Sequence, residues 1–135
     1  MKFSIIIPLY NKAPYIRKAL ETVCAQTYRD YEIIVVNDGS TDDSAVVAES
    51  YLQHAEGICY TIISQDNAGV AAARNRGVKQ ASGDYMAFLD ADDWWEPDYL
   101  ARMAELIADY PEAGLYASNY VYYKPGKTHV ALNIP

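Results

Sequence analysis

Apolar and polar positions follow two rhythms along this chain. Short runs of β-branched residues, bounded by turn residues, alternate with longer stretches in which apolar positions recur every three or four residues. The first run, FSIIIPL over residues 3–9, is apolar at nearly every position. That predicts a strand buried on both faces. Pro8 falls at its end, where a missing N–H does least harm. Asn11 then stands as the cap of a helix over 13–26, with Ile16, Ala19, Leu20 and Val23 on one face. YEIIVVN over 31–37 predicts a second strand, and Asp38-Gly39-Ser40-Thr41-Asp42 is turn and cap chemistry. A second helix follows, with Val46, Val47, Tyr51 and Leu52 on its apolar face, then a third strand over 59–64. Gln65 to Gly69 reads as a loop, and a third helix runs to about Ala81, where Ser82-Gly83 stops it. Residues 85–89 predict a fourth strand. Pro97 suits the first turn of a fourth helix with Leu100, Met103, Leu106 and Ile107 inward, and 115–123 reads as a fifth strand.

Four strand–helix alternations predict an α/β fold of three layers, α/β/α, with a mostly parallel sheet joined by right-handed crossovers. The 135 residues suffice for a single such domain. In sheets of this kind ligands gather beyond the carboxyl ends of the strands. Pro8, Tyr10 and Asn11 stand after the first strand, and Asn37, Asp38 and Gly39 after the second. Gln65, Asp66, Asn67 and Gly69 stand after the third, and Asp90, Asp92 and Asp93 after the fourth.

Charge narrows the partners. The chain has 11 basic and 18 acidic residues, a net charge of -7. A nucleic-acid surface needs clustered Lys and Arg, so nucleic acid is excluded. An anionic ligand is still possible if a metal or helix N-termini supply positive charge. Two histidines leave no histidine-rich metal site, so a metal would sit on oxygen ligands. No apolar run approaches the ~18 residues of a membrane span. Met1-Lys2 leads straight into the first strand without a signal peptide. Cys24 and Cys59 read as reduced core thiols, which points to the cytoplasm.

Each candidate has two readings. Asp90 and Asp92 are two apart, so in an extended segment both carboxylates face one locus and can anchor a metal–diphosphate pair. Alternatively they belong to a solvated loop, with Asp93, Glu96 and Asp98 favoured at a helix start. Asp38 ends an apolar strand and can accept a ring N–H such as that of uracil, with Tyr10 stacking on the same base; the other reading is an Asp-Gly turn beside a half-buried tyrosine. Asn67 can cap the third helix, and Gly69 permits close backbone approach. Arg74 reaches either a phosphate or the acids after the fourth strand. Trp94 and Trp95 cover a sugar or simply pack. Gly126-Lys127-Thr128 lacks the leading glycine of a phosphate-binding P-loop, and no GxGxxG or GxSxG occurs. A phospho-acceptor domain would need acids after the first strand, and a sugar nucleotidyltransferase a glycine-rich basic loop there; Pro8-Leu9-Tyr10 offers neither.

Two composite stretches, SIIIPLYNKAPYIRKALETVCAQTYRDYEIIVVNDGSTDDS and QDNAGVAAARNRGVKQASGDYMAFLDADDWWEP, resemble the family-2 inverting glycosyltransferases of the GT-A fold. They cover roughly residues 3–100. The resemblance implies transfer of a sugar from a UDP-sugar donor to a glycan or lipid-linked acceptor hydroxyl, with Mn²⁺ or Mg²⁺ as cofactor. Pro8, Tyr10 and Asn11 resemble the residues that border the nucleotide. Asp38 resembles the acid that recognises uracil. Asp66 and the Asn67-to-Gly69 turn resemble the next element of the pocket, and Asp90 and Asp92 the DxD pair. Asp92 is then the metal ligand, with Asp90 supporting the ribose or the metal shell. The family's general base lies further along, and no carboxylate follows Glu112. The chain is therefore expected to be the donor-binding part of a longer enzyme, with its base after Pro135 and any membrane association through other segments. The alternative is a binding module without catalysis. Tyr116, Tyr120, Tyr122 and Tyr123 are expected to leave an apolar patch that favours a homodimer.

Overall fold

The computed structural model describes residues 1–118 and the backbone of two later segments, 121–124 and 127–131. The elements are β1 (Phe3–Leu9), α1 (Ala13–Cys24), β2 (Tyr31–Asp38), α2 (Ser44–Leu52) and β3 (Cys59–Gln65). They continue as α3 (Val70–Gln80), β4 (Tyr85–Phe88), α4 (Tyr99–Asp109), β5 (Val121–Lys124) and β6 (Lys127–Ala131). By contact density the chain forms two compact units, Met1–Ala101 and Arg102–Pro135.

The first unit is built on a four-stranded parallel sheet in the order β3-β2-β1-β4. The α/β architecture expected from the alternation is therefore present. The order itself has a consequence. From β1 the chain steps outward to β2 and β3, then returns past β1 to β4. Right-handed crossovers put α1 and α2 on one face and send α3, the returning crossover, to the other. The carboxyl ends of β1 and β4 thus flank a topological switch point.

β1 is buried along its whole length, as a central strand covered on both faces must be. Its Pro8 costs no ladder bond. The Ile6 carbonyl accepts the Leu89 N–H, so Ile6 turns its backbone groups toward β4. Pro8, two residues on, turns the same way, and pairing with β4 ends at Ile6 and Phe88. Ile6, Ile34, Val36 and Ala73 pack as one cluster between sheet and α3. The helix can come so close because Gly77 has no side chain: a Cβ there would lie 2.5 Å from Ile6 Cγ2.

Four local expectations need correction. Asn11 does not cap α1, which starts at Ala13 after Lys12 without a side-chain cap; its side chain is committed to the β2–α2 loop, as described below. The buried stripe of α2 is Ser44, Ala48 and Leu52, while Val46 is 68% exposed. The buried Ser44 sets this rotation: its hydroxyl binds the Asp42 carboxylate and accepts the Lys12 N–H. Pro97 precedes α4, because its carbonyl accepts the Thr27 N–H in a turn before the helix begins. In α4 itself Leu100, Met103 and Ile107 are buried and Leu106 is half-buried.

The fourth correction concerns the second unit. Residues 115–118 form no strand, and Leu115 is 85% exposed. β5 instead pairs antiparallel with β6 in a two-stranded sheet of their own. Pro125-Gly126 in the sequence is turn chemistry that favours a hairpin over one long strand. Tyr116 is half-buried. Tyr120 and the side chains of Tyr122 and Tyr123, on which the expected patch depends, lie outside the described residues.

At the amino ends of the strands a polar plug joins β1, β2 and the turn before β4. Glu32 accepts from the Ser4 hydroxyl at 2.6 Å and from the Ser82 N–H at 2.7 Å, with Lys2 Nζ 3.5 Å away. Burial pushes the Glu32 carboxyl up, but these donors and the Lys2 charge outweigh it and leave its pKa below the ordinary value. A depressed carboxylate stabilises the fold fully above its unfolded pKa, and that stabilisation is lost as pH falls through the folded value. The urea midpoint is therefore expected to fall on acidification below the usual carboxylate range, and Glu32→Gln to be less stable at neutral pH with a shallower acid dependence. Gly77→Ala is expected to cost about 1–3 kcal/mol in the same unfolding measurement, because α3 must back away from Ile6.

Candidate functional site

A cleft of about 520 Å³ opens at the switch point. Pro8, Leu9, Tyr10 and Lys12 come to it from the end of β1 and the turn after it. Asp38 comes from β2, Asn67 and Gly69 from the β3–α3 loop, Arg74 from α3, and Asp90 and Asp92 from the turn after β4. Of the residues singled out at the strand ends, Asn11 and Asp66 do not line it, nor do Asn37, Gly39, Gln65 and Asp93.

Asp38 is only 3% exposed. Its Oδ1 accepts from Gln65 Nε2 at 2.9 Å and the Ala68 N–H at 2.8 Å, and its Oδ2 from the Gly69 N–H at 3.0 Å. Burial alone pushes its pKa up, but the Gln65, Ala68 and Gly69 donors outweigh it and hold the carboxyl below its ordinary value. Asn67, read from the sequence as the cap of α3, instead donates to the Asp38 carbonyl at 3.0 Å. Gly69 occupies the cap position with φ 96°, a left-handed conformation that glycine adopts without strain. Gly39 lets the two loops touch, since a Cβ there would lie 2.7 Å from the Asn67 nitrogen. The carboxylate thus shapes the cleft wall by folding the β3–α3 loop around itself.

The acidic turn is held at both ends. The Leu89 N–H bonds Ile6, and the Asp93 N–H returns to the Asp90 carbonyl at 3.0 Å. Further on, the Trp95 N–H donates to Thr22 Oγ1. The buried Gln26 side chain donates to the Glu96 carbonyl at 2.7 Å and accepts the Leu100 N–H at 2.9 Å. Asp90 and Asp92 therefore stand in a fixed turn that faces the cleft, not in a helix cap. Trp95 stacks on Tyr99 at 4.4 Å between centroids, and Lys18 Nζ sits 4.6 Å from the Trp94 ring centroid. Desolvation, then the charges of Asp92 and Asp90, push the Asp93 carboxyl up, which registers the crowding.

Two cations answer the acids: Arg74 Nη2 lies 3.0 Å from Asp90 Oδ1, and Lys12 Nζ lies 3.4 Å from Asp92 Oδ2. Arg74 Nε is buried with no hydrogen-bond partner among the described residues. Closed to solvent as it stands, it can meet a ligand oxygen only if the guanidinium turns. Lys12 is the site residue that the sequence reading passed over; its signal was a lone cation close to a strand end in an acid-rich rim. Tyr10 is 47% exposed at the mouth, free to offer its ring face. Asn11 has φ 47° and points away, accepting from the Thr41 and Asp42 N–H groups.

The family model described as glycosyl transferase family 2 matches residues 4–131. The chain belongs to that family. Among relatives of this glycosyltransferase chain, Glycosyltransferase GlyA of Streptococcus pneumoniae serotype 4 is 43% identical over 119 residues, 88% of this chain and 17% of that protein. The uncharacterized glycosyltransferase YibD of Escherichia coli K12 is 38% identical over 128 residues, 94% of this chain and 37% of that protein. Among solved structures, residues 1–349 of S. aureus TarS in complex with UDP-GlcNAc superpose with a TM-score of 0.75 at 31% identity, covering 82% of this chain and 32% of that one. The mannosyltransferase PcManGT of Pyrobaculum calidifontis, solved with GDP-Man and Mn²⁺, gives 0.76 at 30% identity over 80% and 32%. The chain thus spans between 17% and 37% of the length of these relatives. The GT-A fold expected from the motifs is confirmed. No helix among the described residues is long and apolar enough to cross a membrane.

The donor set bears on a metal. Among the described residues no cluster of three or more His, Cys, Asp or Glu can hold an ion. Mg²⁺ and Mn²⁺ often take only one or two carboxylates and complete their shell with phosphate and water, which suits Asp92 and Asp90. Asp38→Ala is expected to leave the Ala68 and Gly69 N–H groups unanswered and to cost about 2–4 kcal/mol in urea unfolding. Hydrogen exchange at these two amides should accelerate in the variant; unchanged protection would show that the loop holds without the carboxylate.

Proposed function

We propose that this chain is the donor-binding part of an inverting, metal-dependent glycosyltransferase that uses a UDP-sugar. One observation carries the reading: Asp38, Asp90 and Asp92, from two strand ends, share one cleft with the exposed ring of Tyr10 and the unsatisfied Nε of Arg74. That is an aromatic face for a base, a donor for a phosphate and hard oxygen ligands for a divalent ion. The solved neighbours were captured with UDP-GlcNAc or with GDP-Man and Mn²⁺.

In this reading Tyr10 stacks on the base. Asp38 presents the β3–α3 wall against the base edge, and it accepts a ring N–H by exchanging one of its present donors. Arg74 keeps Asp90 oriented and, with its guanidinium turned, gives its Nε to the diphosphate. Asp92 holds Mn²⁺ or Mg²⁺, with Asp90 on the ribose or the metal shell. The bound ion would supply charge neutralisation for the departing diphosphate. The acceptor hydroxyl attacks the anomeric carbon from the opposite side, which inverts its configuration.

No acid of the cleft is spare for a general base, because Asp38 is spent on its loop and Asp90 and Asp92 face cations. We therefore assign the base, and the acceptor site for a glycan or lipid-linked hydroxyl, to a further part of the protein. The outer edge of β4 is unpaired among the described residues, with Met86 and Phe88 exposed beside it, which is where more structure can join. Cys24 is half-buried and Cys59 exposed, so neither is the core thiol expected from the sequence; both are free, which fits the reducing, cytoplasmic side of a membrane.

A thermal-shift panel of UDP, GDP and ADP, each with and without Mn²⁺, tests this. UDP with Mn²⁺ is expected to raise the melting temperature by several degrees, since ligand at ~100 times Kd stabilises by about 2.7 kcal/mol. Asp92→Ala should abolish the Mn²⁺-dependent part. Equal shifts for the three nucleotides would refute the base assignment, and a UDP shift indifferent to both Mn²⁺ and Asp92 would refute the metal assignment.

A further inference from the structure

Arg74 and Lys12 each meet one acid of the β4 turn, but they are held differently. Arg74 leaves a packed helix and reaches Asp90 at 3.0 Å, a hydrogen-bonding distance. Lys12 reaches Asp92 at 3.4 Å, longer than a charge-assisted hydrogen bond of about 2.7–2.9 Å, although the Lys12 and Arg74 side chains are equally exposed, at 40% each. Its ammonium is a point charge on a flexible stem, able to change partner at little cost. The backbone beneath it is fixed. The Lys12 N–H donates to Ser44 Oγ at 2.8 Å, the Asn11 N–H to Ser40 Oγ at 3.1 Å and the Ala13 N–H to Asp42 Oδ2 at 3.2 Å. The root is clamped to the β2–α2 loop, while the head has, among the described residues, only Asp92 and the Tyr15 ring, whose centroid is 5.9 Å away.

The charge count gives that arrangement a use. Asp38, Asp90 and Asp92 against Lys12 and Arg74 leave the cleft lining at -1. With a divalent cation added the sum becomes +1. Lys12 is then repelled from Asp92 and available to an anion. A diphosphate is the anion that the proposed donor brings.

We propose that Lys12 is an internal counter-ion of the metal site. It neutralises Asp92 in the absence of metal, yields Asp92 to a divalent cation, and moves to the diphosphate of the donor. This rests on the reading of Asp92 as the metal ligand. It makes Lys12 a positioning residue with effects of opposite sign on two ligands. It resists metal binding on its own and favours nucleotide binding once metal is present, so metal and donor bind cooperatively.

The test is Mn²⁺ titration of the 135-residue chain, read by the electron paramagnetic resonance of the free ion, with UDP affinity measured by calorimetry at saturating Mn²⁺. Lys12→Met keeps the stem and removes the charge. It is expected to tighten Mn²⁺ about two- to fivefold without nucleotide, the range open to an exposed ion pair, and to weaken UDP by a similar factor. In an Asp92→Asn background the gain in Mn²⁺ affinity should vanish. Unchanged or weaker Mn²⁺ binding in Lys12→Met overturns the counter-ion role, as does absence of binding to both proteins at millimolar Mn²⁺. If in those cases Asp92→Asn still removes the Mn²⁺ dependence of UDP binding, Asp92 stands as the ligand and only the role of Lys12 falls. If Asp92→Asn binds Mn²⁺ and UDP as the wild type does, the ligand assignment fails and takes the counter-ion with it.

Discussion

Negative charge has to be kept at the carboxyl end of a parallel sheet, where Asp38, Asp90 and Asp92 line one cleft. Carboxylates this close repel one another, and each is stabilised by a different device. Asp38 is buried and satisfied by backbone and amide donors of a single loop. Asp90 has a guanidinium at hydrogen-bonding distance, and Asp92 an ammonium slightly further off. The gradient has one enclosed acid, Asp38, and two whose side chains are 48% and 45% exposed, Asp90 and Asp92. It separates an acid already satisfied by the cleft wall from two acids held, among the described residues, only by cations.

The surrounding structure makes that gradient durable. α3 lies close to β1 because Gly77 leaves room for Ile6, which brings Arg74 over the end of β4. Gln26 and Thr22 bind the chain beyond the acidic turn to α1. Ser44 and Asp42 bind the β1–α1 turn to α2. Side chains held this way meet a ligand without first paying to be ordered, the usual requirement of a site that must place a leaving group in line with an attacking hydroxyl. These contacts join elements far apart in sequence, so the cleft and the fold depend on the same bonds.

Much of this was legible from residue order. β-branched runs such as IIIPL and EIIVV hide both faces and mark parallel strands, and the acids after them fall at the sheet's carboxyl edge by construction. Capping was less legible. Asn11 and Asn67 precede helices as caps do, yet both turn to neighbouring loops, because a nearby N–H or carbonyl from another element competes with the helix end. The inward face of α2 was misread for a related reason. Val46 and Val47 are its most apolar residues, but the buried Ser44 sets the rotation through polar bonds that hydrophobicity does not register.

The sequence by itself determined the α/β class, the family and the set of acids, tyrosine and arginine at the strand ends, since these follow from periodicity and from motifs contiguous in the chain. Only the tertiary structure decided what those residues face. It alone showed that Asp38 is enclosed by Gln65, Ala68 and Gly69, that Arg74 has a buried nitrogen to spare and that Lys12 answers Asp92. The reason is sequence distance: Lys12 and Asp92 lie on turns after β1 and β4, neighbours in the sheet and far apart in the chain, so no local pattern could pair them.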